Sequence, residues 1–294
     1  MVDRNIEISP NFLDIRGVFK AKSPKLYKLI PGFLIGYLRR VIHEDELNAI
    51  IWRNRDKWGL DFIDAILNEF GAIIKTRNMN FVPETGRYVI ASNHPLGGLD
   101  GIALMQVVGK IRKDIVFPVN DLLMNLPNLK ELFIPINKHG SNAQNIAEFN
   151  KTFESDKTIL YFPAGLVSRK QKGGVIRDIP WRKTFLAKAK RSSRDIIPVH
   201  IDGENSGFFY NLARLRKKTG LKANIEMLYL VDEMYKQHNK EINITFSKPV
   251  PVNFFDKREK LKDWALLMQD FVYDLGAGKA ESFEDWYKEK QQSA

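Results

Sequence analysis

The sequence predicts an α/β fold: a mixed, largely parallel sheet covered by helices on both faces, with an N-terminal helical region ahead of it. Three observations carry this. After Gly71, short apolar runs alternate with longer stretches of helical pattern. The short runs are continuously apolar, as strands buried on both faces are. Before Gly71 the apolar residues recur at three-and-four spacing, which is the mark of helices.

Residues 1–22 read as irregular. From Lys25 onward, Leu26, Leu29, Ile30, Phe33, Leu34, Tyr37, Leu38, Val41 and Ile42 form an apolar helical stripe, with Lys25, Lys28, Arg39 and Arg40 off it. Pro31 sits in a first turn or kinks this segment. Helices are expected over Glu44–Trp58 and Asp61–Phe70, the second closed by Gly71 as a left-handed cap. The strand candidates are Ile73–Arg77, Tyr88–Ala91, Ile115–Val119, Leu132–Ile136, Thr158–Phe162, Ile196–Ile201, Ile225–Tyr229 and Ile242–Phe246. Between most of them lie helix candidates Gly101–Lys110, Asn142–Glu154, Trp181–Arg191 and Asn205–Lys218, and Glu259–Leu275 follows the last strand. The division this implies is a helical region over 1–71, an α/β domain over 72–255 and a C-terminal helix and tail over 256–294.

With 294 residues, 44% of them apolar, the chain can bury a sizeable core. A formal charge of +11 calls for a negative partner: anionic lipid, phosphates, nucleic acid or an acidic carrier protein. The absence of cysteine excludes disulfides and thiolate metal sites. No secretory signal pattern opens the chain, and the longest apolar stretch, Leu29–Leu38, falls short of the about 20 residues a bilayer span requires. The expectation is a soluble or peripheral protein.

Three stretches hold polar chemistry just past an apolar strand, where ligands of α/β sheets sit. The first, "SNHPLGGLDG" (Ser92–Gly101), sets His94 and Asp100 on either side of a glycine pair. A histidine serves as a general base when a carboxylate holds its other ring nitrogen. The competing reading makes Asp100 a helix cap and His94 an ordinary loop residue. The second, "LYFPAGLVSRK" (Leu160–Lys170), combines Gly165, Ser168 and Arg169, and suits a phosphate or a developing oxyanion as well as a plain turn. The third, "LFIPINKHGSNAQN" (Leu132–Asn145), puts Asn137 and Lys138 before a helix start; His139 reads as a loop residue. There is no Gly-x-x-x-x-Gly-Lys-Ser/Thr loop, no Gly-x-Ser-x-Gly elbow and no His-Glu-x-x-His helix. No cluster has metal-ligand spacing, so no metal is expected.

Taken in order, Asn93-His94…Asp100, Phe133–Lys138, Phe162–Ser168 and Ile197-Pro198-Val199 resemble the four blocks of the glycerolipid (lysophospholipid) acyltransferase superfamily, and Ile244–Val252 resembles its late strand. The texture is similar to that of bacterial hemolysin-like acyltransferases, which include makers of amino-acid lipids. The resemblance covers roughly residues 70–255. It implies a catalytic pair of His94 as base and Asp100 as its orienting carboxylate. Asn93, Lys138, Pro163, Gly165, Ser168 and Arg169 are implied as substrate-binding residues, with Lys138 as a phosphate-binding cation. It implies no cofactor beyond an acyl-CoA or acyl carrier protein co-substrate, a lipid acceptor, and peripheral work on the inner face of a bacterial cell membrane.

Two departures are visible. The family usually has four residues between the histidine and the aspartate; here there are five. Where its third block usually reads Phe-Pro-Glu-Gly-Thr-Arg-Ser, this chain has Ala164 and Val167 in place of the glutamate and arginine, with Arg169 displaced past the serine. An acyltransferase acting on a lipid hydroxyl or amine is therefore expected first, and a 1-acylglycerol-3-phosphate acyltransferase second. The distant alternative is a non-enzymatic basic protein binding membrane or nucleic acid, for which no motif speaks. The basic amphipathic stretch over Lys25–Ile42 suits a membrane surface, or packs on the domain's own core.

Overall fold

A computed structural model describes residues 8–22, 24–119, 123–136 and 143–292. The N-terminal region holds five helices: α1 (Ile15–Lys22), α2 (Pro24–Leu29), α3 (Gly32–Val41), α4 (Glu44–Arg53) and α5 (Gly59–Phe70). Strands β1 (Ile73–Arg77) and β2 (Tyr88–Ser92) lead to α6 (Gly98–Gly109). Then come β3 (Ile115–Val119), β4 (Phe133–Pro135), α7 (Ala143–Glu154) and β5 (Thr158–Tyr161). A two-strand hairpin, β6 (Arg169–Lys170) and β7 (Ile176–Arg177), precedes α8 (Thr184–Arg191) and β8 (Asp195–Ile201). The chain closes with α9 (Gly207–Lys218), α10 (Leu230–Tyr235), β9 (Glu241–Phe246), α11 (Leu261–Gly276) and α12 (Phe283–Gln292).

The main sheet has seven strands in the order β1-β9-β8-β2-β5-β3-β4. Its neighbours run parallel except β8 and β9, which are antiparallel with Ile201 opposite Ile244. The mixed, largely parallel sheet expected from sequence is the one observed. Its apolar runs are continuous because both faces are covered. On β2, Ile90 packs on one face beside Phe62, Leu104 and Val108 of α5 and α6. Val89 and Ala91 pack on the other face beside Phe185 of α8, Trp264 and Phe271 of α11, and Phe283 of α12.

Three expectations are corrected. Ile225–Tyr229 is a 3-10 turn and not a strand. Its Glu226 is fully buried to meet two arginines, which an apolar strand pattern does not provide for. Residues 15–22 are helical and not irregular. Asp14 caps α1 by accepting from the Gly17 N–H (2.8 Å), and Glu44 of α4 accepts from the Ile15 N–H (2.9 Å). The Lys25–Ile42 segment is two helices with Pro31 between them. Gly71 ends α5 at φ +61, in the left-handed cap conformation. The second C-terminal helix, α12, went unforeseen. It docks through Phe283, Trp286 and Tyr287, an aromatic set at three-and-four spacing.

Candidate active site

The parallel order puts the carboxyl ends of β8, β2 and β5 side by side, so the loops that leave them meet. Asn93 fastens the first of these loops. Its amide donates to the Ile201 carbonyl (2.8 Å) and accepts from the Ile201 N–H (2.7 Å), tying the end of β2 to the end of β8. This residue, expected to touch substrate, spends its hydrogen bonds on the scaffold.

His94 follows. Its Nδ1 lies 3.1 and 3.0 Å from the two carboxylate oxygens of Asp100, which is fully buried. Three backbone N–H groups compensate for that burial: Leu96 (2.8 Å) and Gly97 (3.2 Å) donate to Oδ2, and Gly101 (2.8 Å) donates to Oδ1. Asp100 thus sits in the first turn of α6 and caps it while holding the histidine, so the two readings open in the sequence describe one arrangement. Between them the chain turns at Gly97, whose φ of +80 lies in the region glycine favours. A Cβ there would come within 2.9 Å of Leu230.

In the tautomer that donates from Nδ1 to Asp100, Nε2 keeps its lone pair. The face of the ring stacks on Phe162, just past β5, with centroids 4.1 Å apart and planes 19° from parallel. Edge and face are both restrained.

The loop after β5 is bound to the His94 backbone. Ser168 donates its N–H to the His94 carbonyl (2.7 Å) and its hydroxyl to Asp178 (2.6 Å). Asp178, buried, also accepts from the His94 N–H (3.2 Å) and from Nε1 of Trp181 (2.9 Å), while its own N–H donates to the Tyr273 hydroxyl (2.7 Å). Burial pushes the Asp178 carboxyl above its usual range, against the pull of these donors. Pro163 is buried and its carbonyl accepts from the Arg182 N–H (3.2 Å). Gly165 turns at φ +65, and the space where a Cβ would stand is open. Ala164 and Val167 are fully buried in apolar packing, so neither position has room for a solvated charge.

Arg169 is drawn inward. It pairs with the fully buried Glu226 (2.9 Å), which also meets Arg216 (2.8 Å), and it donates to the carbonyls of Val167 (2.7 Å) and Ser168 (3.2 Å). Burial pushes the guanidinium below its ordinary value, partly offset by Glu226. Lys138, with Asn137 and His139, lies outside the described residues. The structure therefore gathers His94, Asp100, Asn93, Pro163, Gly165 and Ser168 at one rim, and turns Arg169 towards a carboxylate.

Sequence reasoning missed Phe162 as a ring support, Asp178 as an anchor and Glu226 as the partner of Arg169. Asp178 had a faint signal, as the one acid at the end of the basic stretch Arg169–Arg177. Glu226 had another, a lone charge inside an apolar run. Among the described residues no acidic or histidine cluster could hold a metal, and no helix is long and apolar enough to cross a membrane.

The family model and the curated relatives agree on one family. The model of the family described as "Acyltransferase" matches residues 17–276. A lyso-glycine lipid O-acyltransferase of Bacteroides thetaiotaomicron is 44% identical over 265 residues, covering 90% of this chain and 97% of the relative. Its counterpart from Phocaeicola vulgatus is also 44% identical, covering 90% of this chain and 95% of the relative. Among solved structures, the 1-acyl-sn-glycerophosphate (LPA) acyltransferase PlsC of Thermotoga maritima aligns at a TM-score of 0.46 and 13% identity, over 83% of this chain and 93% of that one. The family match spans most of the chain and includes the His94–Asp100 rim, so the chain belongs to the acyltransferase family and is an enzyme of the lipid acyltransferase superfamily.

Proposed function

We propose that this enzyme moves a fatty acyl group from a thioester, of CoA or acyl carrier protein, onto the hydroxyl of a lyso-glycine lipid. The observation that carries the proposal is the buried Asp100 carboxylate on Nδ1 of His94 at 3.0 Å. Nε2 of His94 takes the acceptor's hydroxyl proton as the oxygen attacks the thioester carbonyl. The tetrahedral intermediate collapses, the C–S bond breaks, and the leaving thiolate takes the proton back from the imidazolium. No covalent enzyme intermediate is invoked, because the Ser168 hydroxyl, in the loop bonded to the His94 backbone, is committed to Asp178.

A hydroxyl acceptor is favoured over an amine because the curated relatives are named O-acyltransferases, and over a glycerol phosphate because Arg169 is paired with Glu226. The enzyme would work as a peripheral protein at the inner membrane surface, a reading supported by its charge of +11. Lipid extracts from a host supplied with the lyso-glycine acceptor, expressing wild type or His94→Ala, test this by mass spectrometry. A diacylated glycine lipid formed with wild type alone is the expected result. The same product from His94→Ala would overturn the assigned base, and a product on lysophosphatidate alone would overturn the acceptor.

A further inference from the structure

Two groups of exposed apolar side chains, far apart in the chain, come together in the fold. On α2 and α3, Leu29 and Phe33 are 78% and 80% exposed, and Tyr37 projects beside them. On α9, Phe208 and Leu215 are 50% and 57% exposed and, seven residues apart, share one stripe. The 3-10 turn Ile225–Tyr229 joins the two. The Tyr229 hydroxyl meets that of Tyr37 at 2.5 Å, and its ring meets Phe208 edge-on with centroids 4.9 Å apart. The exposed Leu228 lies on the same turn.

This surface runs up to the catalytic loop. Leu230, directly after the turn, lies against Gly97, and the Asn205 amide at the foot of α9 donates to the Pro95 carbonyl (3.2 Å). Its charge is mainly positive, although Arg39 is paired with Glu44 and Asp45 and Arg216 with Glu226. From Ile15 to His43 the sequence has seven lysines and arginines and no acid, and from Gly207 to Asn224 it has five and no acid. Two copies of such a surface would repel one another. An anionic bilayer takes it up, with apolar side chains at the acyl boundary and cations among the headgroups.

We propose that α9 and the 225–229 turn are a lipid-docking element that joins the N-terminal helices into one surface, seating the catalytic loop against a membrane carrying anionic lipid. The proposal rests on the lipid-acceptor reading for its purpose, but its test needs no turnover. The full chain is floated with phosphatidylcholine vesicles with or without phosphatidylglycerol. Wild type and His94→Ala are expected to float with the anionic vesicles. Phe208→Ser/Leu215→Ser, with unchanged circular dichroism and melting, is expected to lose at least about tenfold in partition. Lys217→Glu/Lys218→Glu is expected to lose the preference for phosphatidylglycerol. Unchanged flotation of the Phe208/Leu215 variant would overturn the proposal, as would a wild-type dimer that this variant dissolves while floating normally. Acyl transfer surviving in His94→Ala would instead sink the catalytic reading and leave the docking result standing.

Discussion

His94 and Phe162 lie face to face, centroids 4.1 Å apart, because β2 and β5 are parallel neighbours that end at the same rim. Phe162 is itself braced edge-on by Phe117, centroids 5.1 Å apart. The imidazole is thus gripped along its edge by a carboxylate and across its face by a ring. Phe162→Leu keeps the bulk and removes the flat support. We expect kcat to fall about tenfold with KM nearly unchanged, since only orientation is lost. A pure KM effect in initial-rate measurements would assign Phe162 to substrate instead.

Asp100→Asn should lower turnover by about 10²–10⁴-fold, the range that general-base assistance spans. The new amide also has to turn its NH₂ towards one of the three backbone donors that Asp100 now satisfies, costing about 1–3 kcal/mol of stability. Turnover and urea unfolding of the same preparation separate the two effects. Full activity in a destabilised Asp100→Asn would make the carboxylate a cap only.

Asp178 touches neither ring nitrogen of His94, yet holds its N–H and, through Ser168, its carbonyl side. It is a positioning residue. Asp178→Asn is expected to cut kcat about 10–100-fold while leaving KM within about twofold, and Ser168→Ala to do so more mildly. Equal losses in kcat for both at full thermal stability would argue for a direct role of the serine hydroxyl.

Breaking the Arg169–Glu226 pair leaves a fully buried carboxylate with Arg216 alone to answer it. Because Arg216 still answers the carboxylate, Arg169→Met should cost about 1–3 kcal/mol, and adding Glu226→Leu should cost less than the two changes summed. Chemical denaturation of both variants decides this, and an additive pair of effects would contradict it.

His200, on β8 beside Tyr273, is pushed down by burial to about 4. Its folded-state value lies below the unfolded value of about 6.5, so the unfolded chain binds the extra proton between the two. Stability is present above pH 6.5 and drains away as pH falls towards 4, by up to about 3 kcal/mol for this group. His200→Gln should flatten that slope in urea titrations between pH 4 and 7. An unaltered slope would mean that other groups carry it.

The strands and the His94–Asp100 pair were legible because they rest on local order: apolar runs, a strand end, two glycines and a carboxylate a few residues on. What stayed hidden depends on residues brought together from afar. Glu226 makes its own run look like a strand until Arg169, 57 positions away, explains the burial. α1 draws its capping from Asp14, which is local, and from Glu44, which is not. Arg169 is implied as a ligand by the resemblance, whereas in space it is paired with Glu226. Asn93 is a similar case: the resemblance implies substrate contact, and its amide hydrogen bonds go to Ile201.

Because β9 runs against β8, the chain leaves the sheet at Ile201 and re-enters it at Glu241 on the same rim. Everything between forms a closed excursion that borrows no strand from the core: α9, the 225–229 turn and α10. A change within it reaches the His94–Asp100 loop through Leu230 on Gly97 and Asn205 on Pro95, while the seven-stranded scaffold is untouched.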